Sequence, residues 1–177
     1  MSAAIIGSIQ PKSNAMSAKH PPLPLRIALV SDTHNLLRPE LLAFVEGADA
    51  IVHAGDICGQ RVLDALAAIA PLTAVRGNND HGAWAEALPV QTTVALAGVR
   101  LAVVHELRDL QGDPAADGIA VVVSGHSHKP ALETREGVLY VNPGSAGPRR
   151  FKLPISAAIL TIGSTGALDV EHVNLVE

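Results

Sequence analysis

The chain has 177 residues, 48% of them hydrophobic and 17% charged, which fits one globular domain with a single core. Its formal net charge of -4 argues against a broad basic surface for nucleic acid and favours a small anionic substrate. There is no apolar stretch of the ~18 residues that a membrane span needs, no signal-peptide pattern, and no second cysteine for an internal disulfide. We therefore expect a cytoplasmic protein without a membrane partner.

Residues 1–24 contain scattered prolines and polar residues without sustained periodicity, so we expect them to form a poorly ordered leader. Met16 offers an alternative start within this leader. No internal repeat follows, and residues 25–177 are predicted to form a single domain.

From residue 25, short apolar runs alternate with amphipathic segments, the pattern of parallel strands joined by helices. The second predicted helix has Leu66 and Ile69 on its apolar side and ends at Pro71. The predicted elements are a strand from Leu25 that ends at Asp32, a helix over Pro39–Glu46, a strand over Ala50–Ala54, a helix over Gln60–Ala70 and a strand over Leu72–Arg76. In such sheets, ligands bind beyond the carboxyl ends of the strands.

After Pro89 the pattern changes to short strands joined by turns, with a polar connection over Glu106–Gly118 that includes a short helix. The predicted strands are Thr92–Ala97, Arg100–Val104, Ile119–Ser124, Ala131–Thr134, Val138–Val141, Ala157–Ile162 and Ala167–Val173. Glycines between several of these runs mark the turns.

Five of the apolar runs end in residues that can ligate a metal ion. These residues are Asp32 with His34, Asp56, Asn78, His105, and His126 with His128. Each motif alone has an ordinary explanation, because Asp32 could cap the following helix, the glycine-containing motifs are typical turns, and a lone histidine usually packs. Their shared position at the ends of strands is what predicts one common site.

Asp56 is the natural centre of such a site, because one carboxylate can bridge two metal ions. Two divalent ions ~3.5–4 Å apart can share a hydroxide, lower its pKa and clamp a phosphoryl group for in-line attack. Ligands of the Asp, Asn and His types without a thiolate suit Mn, Fe, Co, Ni or Zn, and the residues do not choose among these metals.

The remaining histidines and the cysteine receive less specific interpretations. His81 follows an Asn-Asn-Asp turn and is a candidate proton donor if it faces the cleft. His53 is expected to pack or to contact a ligand from behind, and Cys58 to be a small buried thiol.

Taken in order, these motifs resemble the calcineurin-like metallophosphoesterase superfamily, and within it the small single-domain phosphodiesterase branch that includes the retromer subunit. The resemblance covers about residues 25–177. Its motifs are Asp32-Thr-His34, Gly55-Asp56, Gly77-Asn78-Asn79-Asp80, His105, Gly125-His126-Ser-His128 and Asn142-Pro-Gly-Ser145. The resemblance implies an α/β fold of two mixed β-sheets packed as a sandwich and flanked by helices.

The resemblance also implies how the ligands divide between two ions. One ion would be held by Asp32, His34, Asp56 and His128, and the other by Asp56, Asn78, His105 and His126. The expected cofactors are two divalent transition-metal ions, manganese first, with nickel, cobalt, iron or zinc as alternatives. Asn78 would also orient the phosphate, and the Asn142–Ser145 turn and Arg149 would lie beside the site.

Two positions depart from the family pattern. Relatives that cleave phosphomonoesters have a histidine where this chain has Asn79, and asparagine cannot usefully protonate a leaving group. Glu106 stands where the family usually has glycine, so either the backbone path differs or a carboxylate enters near the cleft. The first departure favours phosphodiesters over monoesters.

We therefore expect a metal-dependent phosphodiesterase in which a metal-bridging hydroxide attacks a small phosphate ester. The alternative is a non-catalytic scaffold on the same fold. A nuclease is a weaker third interpretation, because the chain has no basic surface run to hold a strand. Self-association into a homo-oligomer stays open, since the low charged fraction leaves room for a buried face.

Overall fold

The structure is a computed structural model in which residues 24–176 are described. The predicted leader lies outside the described residues except for Pro24, so the leader and the alternative start at Met16 stay predictions. Among the described residues, no helix is both long enough and apolar enough to cross a membrane.

Within that range the chain forms ten strands, three short α-helices and one 3-10 turn. The strands are β1 (Leu25–Val30), β2 (Ala50–His53), β3 (Leu72–Ala74), β4 (Gln91–Leu96), β5 (Val99–Val104), β6 (Val121–Val123), β7 (Ala131–Arg135), β8 (Val138–Asn142), β9 (Ser156–Ile162) and β10 (Leu168–Asn174). The helices are α1 (Pro39–Val45), α2 (Gln60–Ala67) and α3 (Ala83–Glu86), and the 3-10 turn covers Leu107–Asp109. Each predicted strand and helix is present, with ends that differ by a few residues.

The strands form two five-stranded mixed sheets, which confirms the predicted fold class. The first sheet has the order β10-β9-β1-β2-β3, in which β1, β2 and β3 are parallel. The second sheet has the order β4-β5-β6-β8-β7, with a parallel centre of β5, β6 and β8 between antiparallel edge strands. The carboxyl ends of the parallel strands of both sheets meet at one edge, where the N–H of His126 donates to Asp32 Oδ2 (3.1 Å).

Strand β1 is buried on both faces, which explains its continuous apolar sequence. Ile27 and Leu29 belong to the core cluster that includes residues of both sheets. Ala28 and Val30 belong to the cluster that includes residues of α1 and α2. Because each fully buried Leu or Ile contributes roughly 1.5–3 kcal/mol, this double-sided packing gives the strand ends a rigid support.

Helix α2 is shorter than predicted and leaves Ile69 outside the core. The N–H of Ile69 bonds to the carbonyl of Leu66 (3.0 Å) in a tighter last turn, and Ile69 is 40% exposed. Pro71 disfavours the helical conformation at the residue before it, so the helix ends early. The four-residue α3 was not predicted, because so short a segment carries no helical periodicity.

Candidate metal centre

The seven candidate ligands come from five strand ends and lie together at one edge of the sandwich. Asp32 and His34 follow β1, Asp56 follows β2, Asn78 follows β3, His105 follows β5, and His126 and His128 follow β6. Two sets of three residues each offer ligand atoms that all lie within 4.8 Å of one another, namely Asp32, His34 and His128, and Asp32, Asp56 and His105. The described residues could therefore hold metal ions here.

Asp56 is buried between the two predicted halves of the site. Its Oδ2 lies 3.8 Å from His34 Nε2, and its Oδ1 lies 3.4 Å from His105 Nε2. Asn79 donates to both oxygens, from its backbone N–H to Oδ1 (2.8 Å) and from its side-chain amide to Oδ2 (2.6 Å). Burial by itself raises the pKa of Asp56, but hydrogen bonds from His105 and Asn79 outweigh it and hold the pKa below its usual range. Asp56 is therefore an anion with each oxygen directed to a different histidine.

The first half of the site brings two imidazoles against one carboxylate. His34 Nε2 and His128 Nε2 are 3.3 Å apart, and His128 Nε2 is 3.1 Å from Asp32 Oδ1. Among the described residues, neither Asp32 Oδ1 nor His128 Nδ1 has a hydrogen-bond partner of acceptable geometry, although both atoms are buried. Buried polar atoms without partners are costly, so an acceptor oxygen here beside two imidazole nitrogens is the arrangement that a cation stabilises.

The second half of the site surrounds the side-chain oxygen of Asn78. Asn78 Oδ1 is 3.1 Å from His105 Nε2 and 3.0 Å from His126 Nδ1. His105 Nδ1 lies 2.7 Å from the carbonyl of Ala54, so it is the protonated nitrogen of the neutral ring. Nε2 faces the oxygens of Asn78 and Asp56. In the charged ring it donates to Asp56, whereas in the neutral ring it offers a lone pair, and the three atoms are then a set of donors suited to a divalent ion.

His105 also has a perturbed proton affinity. Burial lowers the pKa of His105, but the hydrogen bond and charge of Asp56 outweigh burial, and the pKa is raised above its ordinary value. A metal ion and a proton would therefore compete for Nε2 of this histidine.

Glu106 stands where the family usually has glycine, and its backbone and side chain show how the site accommodates it. Its backbone is extended, with φ -110° and ψ 130°, so the residue adopts a path that does not require glycine. Its buried side chain, 7% exposed, enters the site, where Oε2 lies 3.7 Å from His126 Nε2 and 2.7 Å from the guanidinium of Arg108. Since His126 directs its other nitrogen to Asn78, Glu106 lies behind a candidate ligand.

The backbone at the strand ends is strained in the same way at several candidate ligands. Left-handed φ values occur at Asp32 (53°), His34 (46°), Asp56 (54°), His126 (65°) and His128 (58°). Non-glycine residues seldom adopt this region, and such strain concentrates at functional sites. The sharp turns allow each side chain to reach back over the end of its own strand.

Two glycines let the loops approach each other closely. A Cβ at Gly77 would collide with the carboxylate and backbone N–H of Asp56, and a Cβ at Gly125 would collide with the hydroxyl of Ser31. These positions therefore need glycine for space rather than for φ.

Buried polar side chains around the site hold the loops in place. Asp80 accepts hydrogen bonds from the N–H groups of Cys58 (2.6 Å) and Gly77 (2.7 Å), which joins the loops after β2 and β3. The amide of Asn142 donates to the carbonyl of Gly125 (2.7 Å), and Ser145 Oγ donates to the carbonyl of Asp32 (3.0 Å). The Asn142–Ser145 turn thus lies beside the site and supports its loops.

His53 packs behind the site. It is fully buried, its Nδ1 accepts from the N–H of Gly55 (3.2 Å), and its Nε2 lies 3.0 Å from Thr33 Oγ1. Burial lowers its pKa to about 4, so the ring is neutral at physiological pH. Thr33 stands between Asp32 and His34, so His53 supports the first half of the site from below.

Cys58 differs from its prediction as a buried thiol. It is half-buried, and its Sγ lies 3.5 Å from His34 Nδ1 and 3.6 Å from the carbonyl of Asn79. Burial, with help from the charge of Asp80, raises its pKa to about 11. The group is therefore a neutral thiol in contact with a candidate ligand.

A cavity of about 260 Å³ opens over the first half of the site. Its lining residues are His34, Asp56, Asn79, His126, Ser127, His128, Arg150, Phe151 and Leu153. Arg150 rather than Arg149 lines this cavity, and Phe151 beside it was not predicted as a site residue. The basic residues on both sides of Phe151 are the feature of the sequence that could have indicated these two cavity residues. His81, the predicted proton donor, is exposed and is not among the lining residues.

The two-sheet sandwich and its strand-end cluster of Asp, Asn and His side chains define the metallophosphoesterase class of proteins. Residues 25–165 match the family model described as the calcineurin-like phosphoesterase superfamily domain. The chain therefore belongs to the calcineurin-like phosphoesterase superfamily, whose members depend on metal ions.

Individual relatives agree with this assignment. A probable metallophosphoesterase of Methanothermobacter thermautotrophicus is 32% identical over 152 residues, which are 77% of this chain and 85% of the relative. An archaeal phosphodiesterase of known structure has a TM-score of 0.69 at 21% identity, over 84% of this chain and 100% of that chain. Vacuolar Protein Sorting 29 from Cryptosporidium parvum has a TM-score of 0.68 at 17% identity, over 85% of this chain and 97% of that chain. These two structural likenesses show the fold alone.

Proposed function

We propose that the protein is a metal-dependent phosphodiesterase with a binuclear site. The observation that carries the proposal is Asp56, whose two carboxylate oxygens are directed to histidines of opposite halves of the site, at 3.8 Å from His34 and 3.4 Å from His105. A shared carboxylate between two sets of nitrogen and oxygen donors is the geometry that a pair of divalent ions requires.

The candidate ligands fit two such ions. One ion would be held by Asp32, His34, Asp56 and His128, and the other by Asp56, Asn78, His105 and His126. The buried Oδ1 of Asp32, which lies 3.1 Å from His128 Nε2 but makes no hydrogen bond among the described residues, supports this assignment. The orientation of His105 by the carbonyl of Ala54 supports it as well. Manganese is our first candidate for these ions, with nickel, cobalt, iron or zinc as alternatives, and the donor types suit all of them.

When bound, the ions would activate a water molecule and neutralise charge on the phosphoryl oxygens. The side-chain amide of Asn78 can donate to a phosphate oxygen while its Oδ1 faces the ion site. Arg150 lines the cavity and places a positive charge where an anionic diester would lie.

The preference for diesters follows from Asn79. Its side-chain amide is hydrogen-bonded to Asp56 (2.6 Å), so it positions the shared carboxylate and has no proton to give to a leaving group. His81 remains our candidate for that proton transfer, because its exposed ring adjoins the Gly77–Asp80 turn. We further propose a small phosphate ester as the substrate and the cytoplasm as the location.

A second candidate function is a scaffold without turnover. Its support is the likeness of the fold to Vacuolar Protein Sorting 29 and the exposed edge strand β7, on which Leu132 is 49% exposed. A sheet edge of this kind can pair with a partner strand.

The first test is hydrolysis of an aryl phosphodiester and an aryl phosphomonoester by chelator-treated protein, with Mn, Ni, Co, Zn or Mg restored singly. We expect one or more transition metals to restore activity, with the diester cleaved faster. Stoichiometric metal binding without turnover of diesters, monoesters or nucleotides would favour the scaffold.

The matching variants are Asp56→Ala and His126→Ala, with Asp169→Asn as a control carboxylate that is exposed on β10, away from the proposed ligand set. We expect Asp169→Asn to retain wild-type activity and the other two to lose it. Equal diester hydrolysis by wild type, Asp56→Ala and His126→Ala would show that the mechanism is wrong.

A further inference from the structure

Phe151 stands out among the apolar side chains of the described residues. It is 94% exposed, whereas the other exposed large hydrophobic residues lie between 40% and 49%. Its φ is 52°, a left-handed conformation that is unfavourable for a residue with a Cβ. Neither feature helps the fold, since an exposed ring buries little apolar surface.

Phe151 lies in a short loop at the mouth of the cavity over the candidate metal centre. We call this segment, Pro148–Leu153, the rim loop. Arg150, Phe151 and Leu153 line the same cavity as His34 and Asp56, so the ring is adjacent to the place where a phosphoryl group would react.

The rim loop is also locally basic in an acidic chain. Arg149, Arg150 and Lys152 flank Phe151, although the chain carries a formal net charge of -4. Arg150 lines the same cavity as His34 and His128, so its positive charge lies beside the candidate ligands. An anion bound over the centre would therefore also meet this positive charge.

An exposed ring between basic side chains next to a phosphoryl site fits one kind of ligand chemistry. Nucleic-acid bases stack on exposed aromatic side chains, and arginine pairs with phosphate oxygens. The cavity of about 260 Å³ can hold a phosphoryl group and a sugar, while the base would lie outside it on the rim.

We propose that the substrate is a nucleotidic phosphodiester whose retained ester group carries a base that stacks on Phe151, while Arg150 binds a phosphate oxygen. This inference rests on the proposed phosphodiesterase function. In the reaction, the oxygen of water forms a new bond to phosphorus and the bond from phosphorus to the leaving-group oxygen breaks. One proton of water goes to the leaving group or to solvent, and the nucleoside monophosphate remains.

The test compares three diesters that share one leaving group. They are the p-nitrophenyl esters of thymidine 5'-phosphate, of methyl phosphate and of benzyl phosphate. We expect the wild-type protein to show the lowest KM for the thymidine ester. Phe151→Ala should raise that KM about tenfold and leave the KM for the methyl ester within about twofold.

Three further variants separate stacking from other causes. Phe151→Tyr keeps a ring and should restore the KM for the thymidine ester, whereas Leu132→Ala removes another exposed apolar side chain outside the cavity and should change nothing. Arg150→Ala should raise KM for all three esters, because each has the same phosphate. Thermal unfolding of each variant checks that the fold is retained.

Binding affinity can also be measured without turnover. Calorimetry would compare the binding of thymidine 5'-phosphate to the wild-type protein and to the Phe151→Ala variant. We expect the variant to bind about tenfold more weakly.

The outcomes distinguish this inference from the proposed function. If the wild-type protein cleaves none of the three esters with any metal, the proposed function fails. If it cleaves all three with equal KM and Phe151→Ala has no effect, the function stands and the stacking inference is wrong. A KM for the benzyl ester as low as that for the thymidine ester would overturn the assignment to nucleotides. If Phe151→Ala changed the oligomeric state of the protein and left every KM unchanged, Phe151 would be a protein contact.

Discussion

The floor of the site and its rim loop differ in how they are held. The floor consists of side chains at strand ends, many of them buried and joined by hydrogen bonds, such as the pair from Asn79 to Asp56 at 2.8 and 2.6 Å. The rim loop follows the Asn142–Ser145 turn and exposes Arg150 and Phe151. Preorganised groups suit the chemical step, whereas an exposed loop suits contact with the variable part of a substrate. The floor should therefore govern turnover, and the rim loop should govern the choice of substrate.

The largest expected effect is on the floor. His128→Ala or Asn78→Ala should reduce kcat/KM on an aryl diester by roughly a hundredfold to a thousandfold, the range for loss of a group that stabilises transition-state charge. Each variant should also lose about one equivalent of bound metal, measured by elemental analysis after gel filtration.

The assignment of turnover to the floor and of substrate choice to the rim loop would be wrong if Phe151→Ala reduced kcat on the methyl ester as much as His128→Ala does. A floor variant that kept both metal equivalents and full activity would likewise remove that residue from the centre.

The second prediction concerns how the free energy of unfolding depends on pH through His53, the buried histidine that packs behind the floor. Burial lowers the pKa of His53 to about 4, below the ~6.5 expected when unfolded. The unfolded chain therefore binds the proton first, and stability that is fully present above pH 6.5 is lost as the pH falls toward 4. The loss should be on the order of 3 kcal/mol for this group.

Chemical denaturation of metal-free protein between pH 7 and pH 4 measures this effect. His53→Gln should show a flatter dependence of the free energy of unfolding on pH than the wild type. Identical slopes would mean that His53 is not held neutral in the folded protein.

The third prediction concerns Glu106, which lies 3.7 Å behind His126. A carboxylate in this position orients a histidine ligand and raises its basicity, and loss of such a partner typically reduces metal affinity 10–100-fold. Glu106→Gln should therefore weaken the binding of one of two ions by about tenfold, measured by calorimetric titration of metal-free protein.

Asp169→Asn is the control for Glu106→Gln, because Asp169 is an exposed carboxylate on β10 that lies outside the candidate site. Partial recovery in Glu106→Asp would support an electrostatic contact. Unchanged metal affinity in Glu106→Gln would assign Glu106 only to its ion pair with Arg108 (2.7 Å).

The smallest expected effect is at His81, which is exposed and lies outside the lining of the cavity. For an aryl leaving group, His81→Ala should change kcat less than about twofold, because a nitrophenolate departs without a proton. A larger fall for a diester with an alkyl leaving group would support His81 as the proton donor. Equal rates for both types of substrate would remove it from the mechanism.

Much of the floor could be predicted from the sequence for a simple physical reason. An apolar run long enough for a buried strand predicts the strand, and parallel strands joined by helices place their carboxyl ends at one edge. Asp32, Asp56 and Asn78 could therefore be placed together before any coordinates. The two-sheet fold class, in contrast, was implied by the resemblance of the motifs to a known family, and it was confirmed. The roles of these three residues as ligands stay predictions.

The tertiary structure decided the features that depend on loop conformation and on contacts between distant segments. The extended backbone at Glu106 brings its carboxylate to His126, and no periodicity predicts such a contact between residues 20 positions apart. The left-handed turn at Phe151 exposes its ring at the cavity, while the tight last turn of α2 exposes Ile69. Apolar patterns along the chain locate the strands, but the order of the strands in the two sheets is decided by long-range pairing. The direction of a loop side chain is likewise set by a few φ and ψ angles that only the packed fold selects.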